Sequence, residues 1–175
     1  MSPQPKPHIL FTGQEIEAVV KRLADEISQD YYDKHPLLIG VLKGSFMFMA
    51  DLIRHLDFPL EVEFITLSSY GRGRSTPGKI KVVQGLRSKV RSRDVIIIED
   101  IVDTGHTIAF LLDYLKKKKP ASLKLCALTD KPSRRQVPVN IDYLGFTVPD
   151  KFIVGYGIDW DEKFRHLPHI GFVEV

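Results

Sequence analysis

A chain of 175 residues is long enough for a substantial core and is most economically read as one domain. Its apolar fraction of 43% and charged fraction of 27% are those of an ordinary soluble globular protein, and a net charge of only +3, with scattered basic residues, argues against a nucleic-acid-binding face. One cysteine, Cys126, excludes a disulfide framework within the chain, and neither a signal peptide nor an apolar run long enough to cross a membrane is visible, so a cytoplasmic location is expected.

Residues 1–8, with three prolines, read as an extended arm without a core of its own. Thr12-Gly13-Gln14-Glu15 has the form of a capping box, and the helix behind it carries Ile16, Val19, Val20, Leu23 and Ile27 on one face. Residues 37–42, Leu-Leu-Ile-Gly-Val-Leu, form a buried strand that stops at Lys43-Gly44-Ser45. An apolar helix follows through Phe46, Met49, Ala50 and Ile53. Lys43-Gly44 therefore stands at the carboxyl end of a parallel strand, where open α/β sheets hold their ligands. Residues 61–69 read as another strand. The stretch 70–78 has almost no apolar side chain, and its Gly-x-Gly lacks the helix and third glycine of a dinucleotide fingerprint. Residues 79–85 read as the returning strand.

The centre of the chain runs from Asp94 to Thr107. Residues 95–98, Val-Ile-Ile-Ile, show no polar alternation, as in a strand buried on both faces of a parallel sheet. Glu99 and Asp100 follow at its end. Asp103, Thr104, Gly105 and Thr107 then make a small polar turn opening into a helix with Ile108, Leu111, Leu112 and Leu115 on one face. Free N–H groups and partial positive charge at such a helix start can receive a phosphate, and Gly105 lets the backbone come close. Glu99 and Asp100 would repel a bare phosphate. They should instead face ribose hydroxyls, a hydrated Mg²⁺, or both, so the pattern points to a phosphorylated ribose. Lys116 to Lys119 complement the dipole at that helix's C-terminus. Residues 122–128 form a further core strand with Cys126 as a small buried filler, ending at Thr129-Asp130-Lys131-Pro132. Residues 143–146 make a short strand.

The run Glu99-Asp100-Ile101-Val102-Asp103-Thr104-Gly105-His106-Thr107 closely resembles the phosphoribosyl-pyrophosphate loop of type I phosphoribosyltransferases, in the form found in the 6-oxopurine branch, the hypoxanthine(-guanine) phosphoribosyltransferases. Three further motifs resemble that family in the same order: Gly-Val-Leu-Lys-Gly-Ser at 40–45, Ser69-Tyr70 at the start of a lid, and the stretch from Val148 to Asp159. The resemblance implies an α/β fold with a mostly parallel central sheet flanked by helices and a small hood over the site. It would be a single domain of residues 1–175, with a core of about 10–130 and a hood and C-terminal segment of about 131–175.

It also implies roles. Asp103, Thr104, Gly105, His106 and Thr107 would hold the 5′-phosphate, and Asp103 would be the general base. Glu99 and Asp100 would meet ribose and metal. Lys43, Gly44, Ser69, Tyr70 and Arg165 would meet pyrophosphate, and the bond matching Leu42–Lys43 can be cis in the family. Lys131 would donate to the exocyclic oxygen of the purine, with Arg135 a nearby basic residue. Phe152 would stack on the base, Ile153 would read its edge through backbone, and Asp159 would border the purine and help hold Mg²⁺. Ser45 replaces a second glycine of some relatives.

The implied activity is purine salvage, with phosphoribosyl pyrophosphate and a 6-oxopurine as substrates and Mg²⁺ as cofactor, in a homodimer or homotetramer. Two other readings stand beside it: an RNA-binding regulator built on the fold, and a silent relative that only binds nucleotide. The choice between guanine and hypoxanthine is not legible.

Overall fold

The computed structural model describes residues 6–70 and 79–174. The first five residues and the glycine-rich part of the expected lid, 71–78, lie outside the described residues, as does the side chain of Tyr70.

Helix α1 (Gly13–Tyr31) starts at the expected capping box: Thr12 accepts from the Glu15 amide, and the Glu15 carboxylate accepts from the Thr12 amide at 2.8 Å. Its buried stripe includes Ile16, Val20, Leu23 and Ile27, and continues to Tyr31. The strands β2 (Leu37–Leu42), β3 (Glu61–Tyr70), β4 (Lys79–Gln84), β5 (Asp94–Val102), β6 (Ser122–Asp130) and β7 (Tyr143–Thr147) form one sheet in the order β4-β3-β2-β5-β6-β7. All neighbours are parallel except β3 and β4, so the antiparallel hairpin closes one edge.

Strand alternation distributes the core over both faces. Ile96 and Ile98 pack with α1 and α2 (Phe46–Ile53), whereas Val95 and Ile97 pack under α3 (His106–Lys116) with Leu111 and Leu115. Residues 95–98 are fully buried, which accounts for the missing polar alternation, and each side chain contributes about 1.5–3 kcal/mol through burial. Cys126 is buried in the same layer, and burial pushes its thiol up, so it is a filler and not a nucleophile. No helix among the described residues is long and apolar enough to cross a membrane.

Several boundaries differ from the reading of the sequence. Strand β5 does not stop before Glu99; it pairs with β6 as far as Val102, so both carboxylates are strand residues held by the ladder. In α2 the buried positions are Phe48, Met49 and Leu52, with Phe46 and Ala50 exposed, because Phe46 opens the helix beside the hood. Leu112 in α3 is only half-buried.

A second, antiparallel sheet was not legible: β1 (His8–Phe11), β9 (Ile170–Val173) and β8 (Phe152–Val154), in that order. His8 thus belongs to a strand, with its ring stacked on Phe172, and not to a free arm. The chain also does not change from core to hood at residue 130. Strand β7 is the outer strand of the main sheet, and β1 joins the hood sheet from the other end of the sequence.

Candidate active site

Parallel pairing of β2 with β5 brings two carboxyl ends side by side, so the Lys43-Gly44 turn lies against Glu99 and Asp100. The approach is close enough to require glycine: a Cβ on Gly44 would stand 2.0 Å from Asp100 Oδ2. The Leu42–Lys43 peptide bond is cis. Ser45 is buried, and its hydroxyl donates to the Val41 carbonyl at 2.8 Å, which anchors the turn.

Beyond β5 the chain turns through Asp103, Thr104 and Gly105, the last with φ +92°, into α3. The carbonyls of this turn are held from behind. Arg135 Nε donates to Asp103 O at 3.0 Å, and the amides of Gln136 and Val137 donate to Thr104 O at 2.9 and 3.1 Å. Arg135 is itself fixed by an ion pair with Asp130. The first amides of α3, at His106 and Thr107, have no partner within the helix. The His106 ring is 3.0 Å from Gln136 Oε1, so that residue offers its backbone to the site.

Glu99, Asp100, Asp103, Thr104, Gly105 and Thr107 line a cavity of about 210 Å³ together with Leu42 and Gly44. Burial, reinforced by the neighbouring Asp100, pushes the Glu99 carboxyl well above the usual range. Asp100 and Asp103 also line a second cavity of about 420 Å³ beneath the hood, with Lys131, Phe152, Ile153 and Asp159. The two spaces therefore meet at Asp100 and Asp103. Among the described residues Asp103 Oδ1 accepts no hydrogen bond, although Arg134 Nε stands 3.2 Å away. Lys131 is almost fully buried; its Nζ donates to Lys151 O at 2.8 Å and lies 3.7 Å from Asp103 Oδ2. Phe152 lines the cavity and is 47% exposed, whereas Ile153 is buried.

Across the mouth, Gly157 packs on the Lys43-Gly44 turn so tightly that a Cβ there would be 2.3 Å from Gly44 O. Arg165 donates to Gly157 O at 2.8 Å and pairs with Asp159 at 2.9 Å. Asp159 shares the cavity beneath the hood with Asp100 but not with Glu99. Among the described residues no group of three metal-ligating side chains occurs. Ser69 does not line either cavity: β3 runs past its last pairing with β2, Thr66 with Leu42, and carries Ser69 outward on the hairpin with β4. Two residues the sequence did not single out belong here. Arg134 bridges from Asp103 to Asp150, and Glu162 pairs with Lys43. Neither has a periodicity or motif that marks it.

Residues 8–161 match the model of the phosphoribosyl transferase domain. The chain is 45% identical over 163 residues to a hypoxanthine-guanine phosphoribosyltransferase of Bacillus subtilis, covering 93% of this chain and 91% of that protein. It is also 45% identical over 165 residues to a hypoxanthine phosphoribosyltransferase of Salmonella typhimurium, covering 93% of each. Among solved structures, a hypoxanthine-guanine phosphoribosyltransferase from Bacillus anthracis superposes with a TM-score of 0.92 at 44% identity, covering 98% of this chain and 100% of that one. Sheet order, turn geometry and these similarities agree: the chain belongs to the type I phosphoribosyltransferase family, in its hypoxanthine(-guanine) branch.

Proposed function

We propose that the protein transfers the 5-phosphoribosyl group of phosphoribosyl pyrophosphate to hypoxanthine, guanine or both, releasing pyrophosphate. The observation that carries this reading is the meeting of a sugar-phosphate-sized cavity and a base-sized cavity at two carboxylates, Asp100 and Asp103, of which Asp103 stands on the turn into α3. Core and hood act as a single domain, because each supplies one wall.

The reaction displaces pyrophosphate from the anomeric carbon by a ring nitrogen of the base, with positive charge developing on the sugar and negative charge on the leaving group. The amides and hydroxyls from Asp103 to Thr107 hold the 5′-phosphate and fix the sugar between its two partners. Asp103 takes the proton from the other ring nitrogen of the base, and its Oδ1, which accepts no hydrogen bond among the described residues, supports that role. Lys131 has three donors and spends one on Lys151 O, so another can reach the 6-oxygen of the purine. Adenine would oppose that donor with its own amino group, leaving a buried polar group unpaired. Phe152 stacks on the ring, the Ile153 backbone meets its edge, and Lys43, Gly44 and Arg165 receive pyrophosphate. Ser69 reaches the site only if the hairpin bends over it, and Tyr70 is assigned with it to pyrophosphate.

The Glu99–Asp100 pair suits Mg²⁺, which keeps its water and takes one or two carboxylates plus phosphate oxygens, and Asp159 suits a second ion on the pyrophosphate side. When bound, Mg²⁺ would neutralise phosphate charge. The burial that raises the Glu99 carboxyl supports this fit, since a cation there would relieve it.

Assembly as a homodimer or homotetramer and a cytoplasmic location complete the proposal. Spectroscopic measurement of nucleotide formation from hypoxanthine, phosphoribosyl pyrophosphate and Mg²⁺ tests it. Binding of nucleotide without turnover would refute it in favour of a silent relative, and salt-sensitive RNA binding without turnover would favour a regulator.

A further inference from the structure

Lys43 and Arg165, the two cations assigned above to pyrophosphate, are bridged by one carboxylate, that of Glu162, while Arg165 also pairs with Asp159 at 2.9 Å. Glu162 Oε1 lies 2.9 Å from Lys43 Nζ, and Glu162 Oε2 lies 3.4 Å from the Arg165 guanidinium. The Lys43 ammonium, followed by Arg165, holds the Glu162 carboxyl below its usual range. The backbone is shaped to present this side chain. Asp161 and Glu162 have consecutive φ values of 53° and 58°, at the tip of a two-residue hairpin closed by paired bonds between Trp160 and Lys163 at 3.1 and 3.0 Å. Such a tip requires positive φ at both positions and normally takes asparagine or glycine. Here a glutamate holds the second position, with its amide tied to Asp159 Oδ2 at 2.8 Å. Asp161 faces away, toward Lys163. Arg165 Nε is buried without a hydrogen-bond partner among the described residues, so the guanidinium is not saturated by protein groups.

We propose that Glu162 is an internal counter-ion that occupies the pyrophosphate cations in the free protein and must be displaced when pyrophosphate or its ribosyl ester binds. The inference rests on the assignment of Lys43 and Arg165 to pyrophosphate. The carboxylate competes with the leaving group for the same donors, weakening the hold on pyrophosphate and favouring its release. Because the Lys43–Glu162 pair is largely exposed, the competition is modest.

The test is calorimetric binding of Mg-pyrophosphate to the whole chain at low ionic strength, comparing wild type, Glu162→Gln and a control, Glu26→Gln, which removes the same charge from an ion pair on α1. The Glu162→Gln variant should bind pyrophosphate about two- to fivefold more tightly, the scale of an exposed ion pair. Inosine monophosphate, whose phosphate sits at the other turn, should bind all three proteins alike. Unchanged or weaker pyrophosphate binding by Glu162→Gln overturns the counter-ion role. Failure of the wild type to bind pyrophosphate overturns the assignment of the site itself, and the two failures are thereby distinguished.

Discussion

Replacing Gly44 by alanine is the most direct perturbation of the junction between the two turns. The added Cβ would stand 2.0 Å from Asp100 Oδ2, 2.5 Å from its Cγ and 2.9 Å from Oδ1, whereas ordinary contact begins at 3.4 Å. One partner must retreat by more than an ångström. The Asp100 backbone cannot, because β5 stays paired with β6 on either side of this residue and Thr129 Oγ1 donates to Asp100 O at 2.8 Å. The turn is also confined, by the Ser45 hydroxyl below and by Gly157 above. The carboxylate must therefore swing out of the cavity. Overpacking of this kind costs about 1–3 kcal/mol, and each kcal/mol lowers Tm by about 2–4 °C in a chain of this size. Misplacing a substrate-facing group by about 1 Å costs on the order of 10²-fold in rate. Gly44→Ala should thus lower kcat/KM for phosphoribosyl pyrophosphate about 10²-fold while reducing Tm by several degrees. Gly85→Ala, where the nearest atoms to a new Cβ lie at 3.7 Å, should do neither. Calorimetric melting and the nucleotide-formation assay check both. A Gly44→Ala protein with wild-type Tm and kcat/KM would show that the close approach is not used.

Asp103→Asn should lower turnover by about 10²–10⁴-fold with little change in phosphoribosyl-pyrophosphate affinity; turnover near wild type would remove Asp103 as the proton acceptor. Lys131→Ala should impair use of hypoxanthine and guanine far more than binding of pyrophosphate, and steady-state kinetics showing an unchanged base preference would exclude its recognition role. Glu99→Gln should stabilise the metal-free protein while impairing activity. Since the folded Glu99 titrates above its ordinary value of 4.5, wild-type stability falls as pH rises from that value through the raised one, and glutamine has no such loss. The Tm difference, worth about 1–3 kcal/mol in the charged range, should therefore grow from acid to neutral pH in melts with chelator present. A pH-independent difference would mean that Glu99 is not buried as a proton-sensitive group.

What the amino-acid order determined alone was whatever depends on neighbours in the chain. Residues 95–98 announced a doubly buried strand because each turn of the pleat exposes the next side chain to the opposite face. The capping box of α1 closes over three residues and could be read without any partner. The polar turn from Asp103 opening into α3 was legible because a helix start after a run of small polar residues is a local property of the backbone. Tertiary structure alone decided the contacts between distant segments. The hood sheet joins β1 to β9 across almost the whole chain, and no pattern in either four-residue strand announces the other. The pairing of Lys43 with Glu162, the Arg135 brace behind Asp103 and the need for glycine at 44 arise from side chains brought within a few ångströms by strand order. Such contacts leave no period in the sequence, because they depend on where the ladder ends and the hood turns back.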